Sequence, residues 1–120
     1  MTETKDAIVA TVTDYWVGWF DGDAGRMERA LHPALAKTGV TGLQVSRAMT
    51  ATEMVGWTRD GEGVAEKPAD FVYEITVNDT YRDIATATVH SGVYREYLHL
   101  VRTAEGWRII NALFTRVNQD

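Results

Sequence analysis

Cysteine is absent from all 120 residues. Its absence excludes disulfides, thiolate catalysis and zinc–sulfur sites. Positive charge is in short supply too: Lys and Arg total 12 against 17 Asp and Glu, a net charge of −5. A phosphate backbone needs a basic face, so no nucleic-acid partner is expected. No apolar run reaches membrane-spanning length, and Met1-Thr2-Glu3-Thr4-Lys5-Asp6 has neither the basic start nor the apolar stretch of a secretory signal. The expectation is a cytoplasmic protein with no membrane partner. Internal repeats, low-complexity tracts and linkers are missing, as are a Gly-rich phosphate loop, a serine-triad pattern and paired-acid spacing. The three histidines, His32, His90 and His99, are scattered, so neither a metal site nor a cofactor is expected.

What remains is an ordinary globular composition, 45% hydrophobic and 24% charged, in a chain the length of one domain spanning 1–120. Apolar residues Ile8, Val12, Tyr15 and Trp19 recur at helical spacing and predict a first helix over about 6–20, widened by Trp16 and Phe20. Asp21-Gly22-Asp23 breaks it and offers Asp23 as N-cap of a second helix, from Ala24 to about Leu31. Residues 34–49 read as irregular or weakly extended around Gly39 and Gly42. A third helix fits 52–59, capped by Thr50 or Thr52, and Gly61-Glu62-Gly63 ends it. From Phe71 the period changes to two: strands are expected near 71–78, 83–90, 93–103 and 107–117.

A two-residue turn at Ser91-Gly92 sets Ala87 opposite Glu96 and Ala85 opposite Leu98. A four-residue loop around Glu105-Gly106 sets Leu98 opposite Leu113 and Leu100 opposite Asn111. This register collects Phe71, Tyr73, Ile75, Val77, Ala85, Ala87, Val89, Leu98, Leu100, Trp107, Ile109 and Leu113 on the face that meets the helices. The other face carries Ile84, Thr86, Tyr97, His99, Val101, Ile110, Ala112 and Phe114, too apolar for water alone. A homodimer centred on Tyr97, His99, Ala112 and Phe114 would cover it.

The order helix, short helix, helix, long strands resembles the NTF2-like (cystatin-like cone) superfamily. Tyr15 and Gly18 followed by Gly22-Asp23 and Leu31-His32-Pro33, together with Tyr97-Leu98-His99-Leu100-Val101-Arg102 and Glu105-Gly106-Trp107-Arg108-Ile109-Ile110, resemble its lumazine-binding branch, beside the SnoaL-like and ketosteroid-isomerase-like branches. The resemblance implies an α+β cone: three N-terminal helices packed in a strongly curved antiparallel sheet around an apolar cavity for a small molecule. It also implies that Tyr15 stands where isomerase-like members carry an oxyanion-hole tyrosine. Two other parts of that machinery are missing. Lys37-Thr38-Gly39-Val40 occupies the stretch of the general-base carboxylate, and Leu98 best matches the second, acidic donor. Both departures argue against steroid isomerisation by that mechanism.

The candidate catalytic residues are Tyr15, His32 and Glu96, and the candidate ligand-binding residues are Tyr15, Trp19, His32, Trp57, Glu96 and Asn111. Glu96 shares a face with Leu98 and Leu100, so its carboxylate would enter an apolar cavity as acid or base, or else pair with an arginine at the rim. His32 suits proton transfer at a cavity mouth, or serves as a helix C-terminal residue. Asn111 is the other polar inner-face residue, fit to orient a ligand or to bridge strand ends. Trp19 and Trp57, with Trp16, could stack on a flat ligand or be plain core, and Tyr15 could be core with a satisfied hydroxyl. Three functions follow: binding of an apolar or heterocyclic small molecule, proton-transfer catalysis (dehydration, isomerisation or cyclisation) in the same cavity, or a structural dimerisation module.

Overall fold

The computed structural model describes residues 2–117. Helix α1 runs Thr2–Asp21, longer than its apolar stripe required, and buries Ile8, Val12, Tyr15, Trp16 and Phe20. Helix α2 is Ala24–Ala30, and the Asp23 carboxylate caps it by accepting from the Arg26 amide at 3.1 Å. Helix α3 is Ala51–Arg59, started by Thr50 and Glu53, whose side chains each bond the other's backbone N–H. A fourth, one-turn helix α4, Glu62–Ala65, lies in the stretch expected to be only a helix stop. Gly63 makes it possible: a Cβ there would sit 2.1 Å from the Trp19 carbonyl oxygen, so only glycine lets α4 lie directly on α1.

Six strands form one sheet: β1 Leu31–Thr41, β2 Gln44–Val45, β3 Tyr73–Tyr81, β4 Ile84–Ser91, β5 Tyr94–Thr103 and β6 Gly106–Arg116. Their order is β2-β1-β6-β5-β4-β3, with β1 parallel to β6 and every other neighbour antiparallel. The sheet curves about the helices, and its inner face shares one core with α1 through Ala85, Ala87, Val89, Leu98, Leu100, Trp107, Ile109 and Ala112. Thr11 fastens the helix by donating to the Trp107 carbonyl at 3.1 Å. Among the described residues, no helix is long and apolar enough to cross a membrane.

Three departures from the sequence reading matter for the site. The stretch expected to be irregular or weakly extended holds the eleven-residue strand β1, which starts earlier at Leu31, plus the short β2. Its buried positions Leu35, Lys37 and Gly39 alternate as in any strand, but a lysine and a glycine hide the hydrophobic period. Gly39 carries no side chain because the Phe114 ring lies over it, where a Cβ would come within 2.7 Å.

The β4–β5 register also differs. Ala87 pairs with Leu98, Ala85 with Leu100, and Val89 with Glu96. The two residues between the strands are Gly92 and Val93, one position later than Ser91-Gly92, and the Ser91 hydroxyl braces the turn by accepting from the amides of Val93 and Tyr94. The slip is two residues, so the strand faces are unchanged.

The third departure does change faces. A bulge between His99 and Leu100 puts Leu98 opposite Ala112, His99 opposite Asn111 and Leu100 opposite Ile109. Trp107 and Ile109 stay inside, but beyond the bulge Ala112 and Phe114 turn inward while Asn111 and Leu113 turn out. Ala112 and Phe114, expected on the outer face as half of the dimer patch, are therefore interior residues. Leu113, expected inside, is 43% exposed.

Candidate functional site

Between α1, α3 and the strands β1, β5 and β6 lies a cavity of about 80 Å³. Its walls are apolar: Trp16 and Trp19 from α1, Met54 and Trp57 from α3, Tyr94 and Phe114 from the sheet, with Met49 beside them. The rings brace one another, with Trp16 and Phe20 at 5.4 Å and Tyr94 edge-on to Phe114 at 5.5 Å.

Three polar side chains enter this lining from three elements. Tyr15 comes from α1, Lys37 from β1 and Glu96 from β5, and all are buried. The Tyr15 hydroxyl donates to Glu96 Oε1 at 2.6 Å, and the Lys37 ammonium in turn donates to the Tyr15 hydroxyl. Lys37 Nζ also stands 3.8 Å from Glu96 Oε2. The hydrogen bonds thus run in one direction, ammonium to phenol to carboxylate. The Lys37 ammonium lies 4.8 Å from the Phe114 ring centre and 4.9 Å from that of Tyr15, within cation–π range of both.

Electrostatics follow from this burial. Burial pushes the Lys37 ammonium below its ordinary pKa, and the carboxylates of Glu96 and Glu66 offset part of that effect. Burial likewise holds the Tyr15 phenol well above its ordinary value, and the Glu96 charge reinforces it. Tyr15 therefore remains a hydrogen-bond donor throughout the physiological range. Trp16 Nε1 is a further buried donor, with no hydrogen-bond acceptor among the described residues.

A second polar cluster fixes the aromatic walls from behind. Just after α4, Glu66 Oε1 accepts from Trp19 Nε1 at 2.8 Å and from the Tyr94 hydroxyl at 2.6 Å, and Oε2 accepts from Arg116 at 2.7 Å. Partial burial alone would raise the Glu66 pKa, but the bonds from Tyr94, Trp19 and Arg116 outweigh it and hold the carboxyl low. Burial, and then Glu66, push the Tyr94 phenol upward.

Of the six candidate residues, four meet here: Tyr15, Trp19, Trp57 and Glu96 line the cavity. The other two do not. His32 sits half-buried at the start of β1, where Nδ1 accepts from the Ala34 amide at 3.0 Å, and it lies outside the cavity lining. Extension of β1 up to the end of α2 places it there, away from the space between α1 and β5. Asn111 is exposed on the outer sheet face, because the bulge reverses its side. Among the described residues, no three His, Asp or Glu side chains gather as a metal site.

The family model described as "Putative lumazine-binding" matches residues 3–115 of the chain. The chain belongs to that family. An NTF2-like protein of unknown function from Methylobacillus flagellatus KT matches with a TM-score of 0.75 at 17% identity, over 98% of this chain and 95% of that one. Another, from Silicibacter pomeroyi DSS-3, matches with 0.73 at 17%, over 96% and 97%. A ketosteroid isomerase-like protein from Erwinia carotovora atroseptica matches with 0.61 at 20%, over 96% and 94%. At such identities the likeness carries the NTF2-like, cystatin-like fold and no activity. No curated protein matches the sequence.

For this NTF2-like domain the residue that sequence reasoning missed is Lys37, noted only as the replacement of a base carboxylate. One signal pointed to it: a lone lysine between Leu35 and Gly39, on the parity of the buried positions, in a stretch whose partner strand is parallel. Tyr94 and Phe114 were missed as lining residues, the second through the bulge.

Proposed function

We propose that this lumazine-binding family member binds a small, flat, mostly apolar molecule in the Tyr15–Lys37–Glu96 cavity, and that the molecule presents a hydrogen-bond acceptor to Lys37. The observation that carries this reading is a set of buried donors whose protons their neighbours in the cavity do not all take up. An ammonium has three protons; the Lys37 ammonium spends one on Tyr15 and faces one carboxylate oxygen of Glu96. Trp16 Nε1 has no acceptor among the described residues. Leaving buried donors unmet costs about 1–3 kcal/mol each, so a ligand carbonyl or ring nitrogen gains by meeting them. Aromatic walls held by Glu66 supply the stacking surface. The family description supports a heterocycle of this kind. Size limits it: about 80 Å³ is less than the roughly 150 Å³ that encloses benzene, so a bicyclic ligand enters by one edge unless Trp57 or Met49 gives way.

The test is thermal-shift titration with flat heterocycles that differ in one carbonyl group. A ligand at a hundred times its dissociation constant adds about 2.7 kcal/mol, roughly 10 °C for a domain of this size. Glu96→Gln should alter the affinity while leaving the far-ultraviolet spectrum intact. Absence of stabilisation by any member of the series would overturn the reading. Proton-transfer catalysis in the same cavity would rest on Glu96 and Tyr15, with His32 outside it.

A homodimer through the outer sheet face belongs to the same proposal. What supports it is the apolar exposure left there: Tyr97, 51% exposed, lies opposite Leu113, and Ile84 is 56% exposed, with His99 between them. A two-fold axis would let this patch cover itself.

A further inference from the structure

We infer that Lys37 is a nucleophile that condenses reversibly with small aldehydes and ketones held in the cavity, forming an imine at Nζ. This rests on the cavity being a ligand site, and it names the carbonyl compound as the substrate class. The carrying observation is the direction of the hydrogen bonds: Lys37 donates to Tyr15, and Tyr15 donates to Glu96. Along such a chain the ammonium proton passes to the phenol oxygen while the phenol proton passes to the carboxylate. The product is a neutral amine, an intact phenol and a carboxylic acid. The ammonium–carboxylate pair is the resting form, and the neutral triad is the form reached when a carbonyl compound fills the cavity and excludes the remaining water.

A desolvated lysine in a hydrophobic pocket is the form in which lysine serves as a nucleophile. Lys37 is 7% exposed and borders the cavity, and burial favours its neutral form. The other two lysines, Lys5 and Lys67, are exposed or ion-paired at the surface. The step balances without an outside reagent. Nζ attacks the carbonyl carbon as the carbon–oxygen π bond breaks, and the new alkoxide takes the proton stored on Glu96, delivered through Tyr15. The nitrogen proton returns to Glu96, which protonates the departing hydroxyl. Amine, carbonyl and the Glu96 proton become a protonated imine, water and the Glu96 carboxylate. Tyr15 touches the reacting nitrogen and is the shuttle, while Glu96 is the proton reservoir.

The size of the cavity restricts the substrate to a carbonyl compound of a few heavy atoms, or to the carbonyl edge of a larger one. The experiment uses propanal and butanone as probes with sodium cyanoborohydride at neutral pH, followed by peptide mapping. The three lysines compete within one molecule, so Lys5 and Lys67 calibrate the reagent. Lys37 should be alkylated roughly tenfold faster or more than either. Tyr15→Phe and Glu96→Gln should slow labelling at Lys37 and leave Lys5 and Lys67 unchanged. Labelling of Lys37 no faster than Lys5 and Lys67 would overturn the inference, and this readout needs no variant to fold. Butanone without reductant separates the two readings. Thermal stabilisation by butanone with no adduct at Lys37 overturns the imine and leaves the binding site standing. Neither stabilisation by butanone nor an adduct, with no shift from the heterocycles, overturns both.

Discussion

Replacing Tyr15 with phenylalanine removes one oxygen and leaves the ring packed, so no cavity arises and the loss isolates the phenol's role. That oxygen accepts from the Lys37 ammonium and donates to Glu96 at 2.6 Å, with all three groups buried. Hydrogen bonds to charged groups contribute about 1.5–3 kcal/mol each, and two are lost. Part returns, because Lys37 Nζ already stands 3.8 Å from Glu96 Oε2 and can close to a direct pair. The expected net cost is about 2–4 kcal/mol. Unfolding entropy of about 2.1 cal/mol/K per residue amounts to roughly 0.25 kcal/mol/K for this chain, which converts the cost to a Tm drop of about 8–16 °C. Differential scanning calorimetry measures it directly. A double-mutant cycle with Lys37→Met should show coupling above about 1 kcal/mol, since each partner's loss strands the same groups. A drop below about 2 °C, or additivity in the cycle, would refute the view that the phenol links two buried charges.

Gly63→Ala should push α4 off α1. The new Cβ starts 2.1 Å from the Trp19 carbonyl oxygen and must retreat by about 1–2 Å to reach ordinary contact, costing about 1–3 kcal/mol. The Trp19 indole N–H resonance should lose the shift conferred by Glu66; an unchanged Tm and an unchanged resonance would contradict the packing. Glu53, held at about 2 chiefly by its bond to Arg47, lies below its ordinary 4.5. Because the folded value is depressed, its contribution is complete above 4.5 and is lost as pH falls through about 2. Carboxyl-detected NMR titration should show that midpoint, and Arg47→Ala should raise it. Leu113→Glu, on the exposed face opposite Tyr97, should turn the proposed dimer into monomers in light scattering. A monomeric unmodified protein at micromolar concentration would sink the dimer.

How far the sequence could be read depended on whether one period governed each segment. Helix α1 was legible because Ile8, Val12, Tyr15 and Trp19 repeat at helical spacing over about three turns, and β3 to β5 because their inward positions recur with a period of two. Glu96 could be assigned to the interior even though its partner was misjudged, since a two-residue slip preserves the strand's face. The bulge opposite His99 had no comparable signature, so Ala112 and Phe114 were exchanged with Asn111 and Leu113. Strand β1 was hidden for a different reason. Its interior positions include a lysine whose burial depends on Tyr15 and Glu96, residues 22 and 59 positions away, and no local pattern records such a partnership.

The central place of β6 has a temporal consequence. It is the last strand along the chain, yet it lies between β1 and β5, and β1 pairs with it in parallel over residues 31–40 and 109–115. During synthesis β1 has only the two-residue β2 as a strand neighbour until the segment 106–116 has emerged. Contacts that span most of a chain form late and slow folding. Lys37 therefore waits with its strand, an amine without its enclosure, while Tyr15 and Glu96 are already within reach of each other through α1 and the β3–β5 meander. A nascent chain halted before residue 106 should hold a helical, partly built sheet with an exposed β1 edge, the kind of species that chaperones bind. Enclosure of the three polar groups would then be among the last events of folding, and assembly of the cavity would coincide with completion of the fold.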